Sequence, residues 1–121
     1  MKKAIFLFLA IIFIAGCLNI TPPQDDNGDD DGNYDLLAQC LTEKGVKMYG
    51  AEWCGHCQNQ KKAFGSSFQY VNYVDCDKDR DACVEAGVQG YPTWVIDGQS
   101  YPGEQDLSDL AAISGCSLAV F

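Results

Sequence analysis

The chain is poor in positive charge, in histidine and in long apolar stretches. Eight Lys and Arg stand against 17 Asp and Glu, a formal charge of −9. Binding to a phosphate backbone needs a basic face, so nucleic acid is excluded as a partner, and the acidity reads as solubility. A single histidine, His56, argues against a metal centre, because a closed zinc site takes about four ligands. The longest apolar run, residues 4–15, has about 12 residues. A helix needs roughly 20 to cross a bilayer. No internal repeat is visible, and a length of 121 residues bounds the chain to one domain.

What is there begins with Lys2 and Lys3 ahead of that apolar run, the layout of a secretory signal. Ile14-Ala15-Gly16-Cys17 puts small residues before a cysteine. This resembles the lipoprotein signal pattern, which implies removal of residues 1–16 and a lipid on Cys17. An uncleaved anchor and an ordinary signal cut nearby are the alternatives. All three place the rest outside the cytosol; the expected location is extracytoplasmic, lipid-anchored to the cell membrane. Residues 17–33 carry Pro, Gly and a cluster of Asp from Asp25 to Asp31. Such a stretch buries too little to offset its ordering entropy and is expected to be a disordered acidic tether. Residues 34–121 are the expected globular domain. Seven cysteines in an exported chain imply an oxidising compartment.

Within the domain, Leu36, Leu37, Cys40 and Leu41 recur at helical spacing over residues 35–44, with Gly45 as the stop. Residues 46–51 alternate as a strand. Residues 57–64 read as a helix, 68–74 as β-rich, and 79–86 as a short helix ending at Gly87. Residues 93–96 and 99–101 flank Asp97-Gly98, a tight hairpin turn. Residues 107–113 form a last amphipathic helix. The order is α-β-α-β-α-β-β-α, an α/β class.

Trp53-Cys54-Gly55-His56-Cys57 falls where a strand ends and a helix begins. The thiolate is the reactive form of cysteine. Free N–H groups and the positive dipole end at a helix N-terminus favour that anion. Cys54 is expected to be the exposed, attacking sulfur, with Cys57 one turn in as the less accessible resolving partner. His56 is expected to stabilise the Cys54 thiolate as a donor or a positive charge. Two other readings compete. Cys76 and Cys83 could complete an all-cysteine zinc site, though their spacing is not that of a zinc knuckle, or the pair could be an inert structural disulfide. Redox chemistry is preferred, with no metal expected and with no cofactor because the dithiol itself carries the electrons. Asp75 to Asp81 resembles a calcium loop superficially, but Arg80 stands where glycine is needed and Ala86 where a glutamate is needed.

Residues 51–57, Ala-Glu-Trp-Cys-Gly-His-Cys, resemble the active-site segment of thioredoxins and protein disulfide isomerases. Gly90-Tyr91-Pro92-Thr93 resembles the cis-proline loop of that family. The resemblance implies a compact thioredoxin fold: a mixed central sheet flanked by helices, with the first strand of the full fold absent. It implies that Tyr91, Pro92 and Thr93 face the disulfide and hold an extended substrate backbone; Trp53 is expected to flank the same site. One departure stands out. The family usually carries a buried acid six residues before the first cysteine, as a proton acceptor, and here that position is Met48. Proton handling is expected to use another group, with Glu52 the candidate, or to be slower. A narrower resemblance, over about 80 residues, is to the thioredoxin-like domain of vitamin K epoxide reductase homologues. It implies a quinone-reducing membrane protein as partner, beside exported cysteine-containing proteins.

With Cys17 assigned to lipid, six cysteines remain and allow 15 pairings. Cys76 follows a strand and Cys83 lies on the next helix. A short bracing disulfide is expected there, a second redox pair being the alternative. In the thioredoxin arrangement the first and last helices end at the pole away from the active site. The resemblance therefore implies a Cys40–Cys116 bridge, two buried free thiols being the alternative. The expected function is a membrane-tethered thiol–disulfide oxidoreductase, net oxidising. Its rivals are a reductase or isomerase fed by a transmembrane donor, and a metal-delivery module.

Overall fold

The computed structural model describes residues 33–118. The expected signal segment, the lipid site at Cys17 and all but the last residue of the tether lie outside the described residues. Helix α1 (Asp35–Glu43) buries Leu37, Ala38 and Leu41. Strand β1 (Lys47–Gly50) leads to helix α2 (Gly55–Phe64) and a 3₁₀ segment (Gly65–Tyr70). Strand β2 (Tyr73–Asp75), helix α3 (Arg80–Glu85), strands β3 (Thr93–Ile96) and β4 (Gln99–Pro102), and helix α4 (Leu107–Ser114) complete the order.

The sheet runs β2-β1-β3-β4, with β1 parallel to β2 and antiparallel to β3, and β3 antiparallel to β4. This is the thioredoxin arrangement without its first strand. Met48 pairs with Tyr73 on one side and Trp94 on the other, so β1 is central among the described strands. A central strand has no solvent face to spare, and Met48 is fully buried. Trp94, Phe64, Leu37, Leu41, Met48 and Leu110 are the largest core side chains, with Phe64 and Trp94 ring centroids 6.0 Å apart. The Asp97-Gly98 turn has φ of 50° and 76°, the left-handed pair that closes a two-residue hairpin.

The β-rich stretch at residues 68–74 is corrected: its first half is 3₁₀ and only Tyr73–Asp75 pairs as strand. Tertiary bonds to α1 win over local propensity. The Ser67 hydroxyl accepts the Tyr34 N–H at 3.0 Å and donates to Asp35 Oδ1 at 2.7 Å. The Thr42 hydroxyl donates to the Tyr70 carbonyl at 2.6 Å. These bonds keep the segment against the helix and off the sheet.

Two disulfides tie the domain. Cys40 at the end of α1 is joined to Cys116 just past α4, 76 residues away, with Cα atoms 6.0 Å apart. Cys76 is joined to Cys83, 7 residues away, with Cα atoms 5.7 Å apart, closing the β2–α3 loop.

Candidate active site

Strand β1 ends at Gly50, and the chain turns through Ala51, Glu52 and Trp53 into α2. Cys54 is the N-cap of that helix. Its backbone is extended, and its Sγ accepts the backbone N–H of Cys57 at 3.2 Å. One of the helix's orphan donors therefore points at sulfur, as it would at the oxygen of a serine or aspartate cap. Cys54 and Cys57 are both free thiols in the structure. The expectation of an exposed Cys54 is corrected: it is 6 % exposed and Cys57 0 %. The order of access holds, but Cys54 lies in a cleft of about 430 Å³ lined also by Trp53, His56, Gln89, Gly90 and Tyr91. A cavity of about 440 Å³ flanked by Tyr34, Gln60 and Leu107 opens elsewhere along α2 and is lined by no cysteine.

Burial pushes the Cys57 thiol up to about 12, with a hydrogen bond and the charge of Cys54 adding to the rise. The Ala51 backbone and the Lys61 charge act the other way. Lys61 sits with its Nζ 3.1 Å from Glu52 Oε1 and 4.2 Å from the Tyr73 ring centroid. Glu52, the candidate for that proton handling, is thus held by Lys61.

His56 lines the same cleft as Cys54. Its Nδ1 pairs with Glu104 Oε1 at 2.8 Å, and its side chain is 77 % exposed. The position after Gly55 projects it from the first turn of α2 towards the β4–α4 loop, where Glu104 waits. That bond, with a second from Asn59 Nδ2 at 3.0 Å, holds the Glu104 carboxyl below its usual range.

Trp53 is 71 % exposed and meets Tyr91 edge to face, with ring centroids 5.8 Å apart. An exposed tryptophan beside a reactive group marks a contact surface. The Tyr91–Pro92 peptide is cis. Pro92 is fully buried and its carbonyl accepts the Gly103 N–H at 2.7 Å. Thr93 is buried, and its hydroxyl donates to the Gly90 carbonyl at 2.7 Å. It holds the loop while Tyr91 and Gly90 line the cleft.

Sequence reasoning missed Gly50, Tyr73, Gln89 and Glu104. Gly50 had a signal, since a glycine closing a strand marks a close approach. A Cβ there would come within 2.9 Å of Cys57 Sγ and 3.1 Å of the Tyr73 ring. The others come from distant sequence and carry no local mark.

The thioredoxin family's sequence model matches residues 33–113. Thiol-disulfide oxidoreductase LTO1 of Arabidopsis thaliana is 42% identical over 91 residues, covering 68% of this chain and 24% of the relative. Protein disulfide-isomerase tigA of Aspergillus niger is 38% identical over 96 residues, covering 66% and 26%. The chain thus spans about a quarter of the length of these relatives. The solved thioredoxin of Fasciola hepatica is 25% identical, covering 67% of this chain and 91% of that one, with a TM-score of 0.45. A capped dithiol past the end of a central strand, and a buried cis-proline, both fall within the matched stretch, and the chain belongs to the thioredoxin family.

Proposed function

We propose that the chain is a thiol–disulfide oxidoreductase tethered outside the cell membrane by a lipid on Cys17. It exchanges disulfides with exported cysteine-containing proteins or with a quinone-reducing membrane partner, in the net direction of substrate oxidation. One observation carries the reading: two thiols one helical turn apart, the outer one capping α2 through the Cys57 N–H and lining a cleft beside an exposed tryptophan.

In the disulfide form, a substrate thiolate enters between Trp53 and Tyr91 and attacks Cys54. Cys57 departs with the electron pair. A second substrate thiolate then displaces Cys54 and leaves the substrate oxidised. Run backwards, Cys54 attacks a substrate disulfide and Cys57 resolves the mixed disulfide. Stabilising the Cys54 thiolate at the helix N-terminus favours the reduced protein, which makes the disulfide the stronger oxidant. The reverse direction, reduction or isomerisation driven by a transmembrane donor, draws support from the isomerase name of the Aspergillus relative and from the engagement of His56 by Glu104 rather than by sulfur.

The test is trapping. A Cys57→Ala chain expressed in its host should accumulate proteins on Cys54 that a reducing agent releases, while Cys54→Ala/Cys57→Ala should not. Equal recovery from both chains would overturn the reading. Fractionation of the same cells checks the tether: Cys17→Ser should move the protein from the membrane to the soluble fraction.

A further inference from the structure

Among the described residues, the Tyr73 hydroxyl is buried and has no hydrogen-bond partner. Buried polar groups in folded proteins are almost always paired, so an orphan calls for a reason. Its position supplies one. The ideal Cβ site of Gly50 is 2.9 Å from Cys57 Sγ and 3.5 Å from the Tyr73 hydroxyl, so the absent side chain leaves sulfur and hydroxyl around one small gap. Parallel pairing of β1 with β2 sets this arrangement, since Met48 is registered on Tyr73. Lys61 of α2 lies over the Tyr73 ring and is held by Glu52. Phe68 packs on the Tyr73 ring with centroids 5.7 Å apart, and Lys61 Nζ is 5.6 Å from the Phe68 centroid too.

Resting on the oxidoreductase reading, we propose that the Tyr73 hydroxyl is the hydrogen-bond donor for the Cys57 thiolate, the anion that appears and disappears in each exchange. A donor with no partner in the thiol state, across a small gap from where charge develops, is free to turn to the sulfur when it becomes an anion. In the oxidising direction the Cys54–Cys57 bond breaks, Cys57 takes the electron pair, and its thiolate accepts the hydroxyl until a proton arrives from solvent. In the resolving direction Cys57 gives its proton to solvent. Its thiolate attacks Cys54, and the substrate thiolate leaves and takes up a proton. Burial raises the Tyr73 hydroxyl, with the charges of Glu52, Asp75, Cys57 and Cys54 adding to the rise, so it remains a neutral donor through the working range. Among the described residues, Lys61 supplies the positive charge facing the pair, and lowers the Cys57 thiol against its burial. The donor comes from the strand beside β1, whose own position 48 is an apolar methionine.

Tyr73→Phe keeps the ring, its packing on Phe68 and the Lys61 contact, and removes only the hydroxyl. The reduced full chain is mixed with a peptide disulfide, and the mixed disulfide on Cys54 is followed by acid quench between pH 6 and 9. Its resolution by Cys57 should be about tenfold slower in Tyr73→Phe at each pH. Release of the same mixed disulfide by added glutathione, which bypasses Cys57, is the internal reference and should match wild type; a merely structural defect would slow both. Lys61→Met should slow resolution in the same selective way. Equal resolution in Tyr73→Phe and wild type, or parallel slowing of both routes, would overturn the assignment alone. A wild-type chain that forms no mixed disulfide overturns the oxidoreductase reading and this one with it.

Discussion

Two sulfurs one helical turn apart meet different surroundings in this domain. Cys54 sits at the cap with a backbone donor on its sulfur and the cleft beside it; Cys57 is sealed beneath it, with its thiol raised by burial to about 12. A thiol far below its midpoint has a thiolate fraction that grows about tenfold per pH unit. Resolution should therefore accelerate about tenfold per unit from pH 6 to 9, measured as the decay of an acid-quenched mixed disulfide, whereas a plateau near neutrality would mean that burial does not govern the step. The same shift has a stability consequence. The folded state holds the Cys57 proton more tightly than the unfolded chain, whose ordinary value is 9.0. Its contribution is complete below pH 9 and fades as pH climbs towards about 12. Denaturant midpoints of the reduced protein should fall over that window more than those of Cys57→Ala.

At the scale of elements, helix α2 is anchored by a buried amide. Gln60 is 2 % exposed; its Oε1 accepts the Trp94 indole N–H at 3.1 Å and the Gln105 N–H at 2.7 Å, and its Nε2 donates to the Gln105 carbonyl at 3.0 Å. One side chain thus joins α2 to β3 and to the β4–α4 loop, which also carries Glu104. Gln60→Leu keeps bulk but leaves the buried Trp94 N–H and the part-buried Gln105 N–H without an acceptor, a buried orphan costing about 1–3 kcal/mol. Urea unfolding should show a loss on the order of 2–4 kcal/mol. The 3₁₀ segment shows the opposite balance: Phe68 and Tyr70 favour strand locally, and bonds from Ser67 and Thr42 override them.

For the whole molecule, the Cys40–Cys116 bridge closes a loop of 76 residues, nearly the full described domain. Loop entropy gives it about 4–5 kcal/mol, against about 2 kcal/mol for Cys76–Cys83 with its separation of 7. A domain this small has little core to spare. Cys40→Ala/Cys116→Ala should lose more stability than Cys76→Ala/Cys83→Ala by about 2 kcal/mol in chemical denaturation, and a reversed ranking would refute the entropic account. Both bridges leave the Cys54–Cys57 pair as the free dithiol among the described residues.

Element order, the hairpin and the dithiol at a helix start were legible because each rests on neighbours in the chain: apolar periodicity, Asp97-Gly98, and two cysteines one turn apart. The surroundings of those sulfurs were not legible, because they come from residues far away in sequence. His56 was expected near sulfur, and Glu104, 48 residues on, takes its ring. Cys54 was expected in the open, and the loop that brings Gln89 and Tyr91 makes it part of a cleft. The chain by itself determined which atoms can exchange bonds, since reactivity follows residue type and local backbone. Only the folding of β2 beside β1 and of the Tyr91 loop over α2 decided how charge on those atoms is met, since electrostatics and burial depend on distance through space, not along the chain.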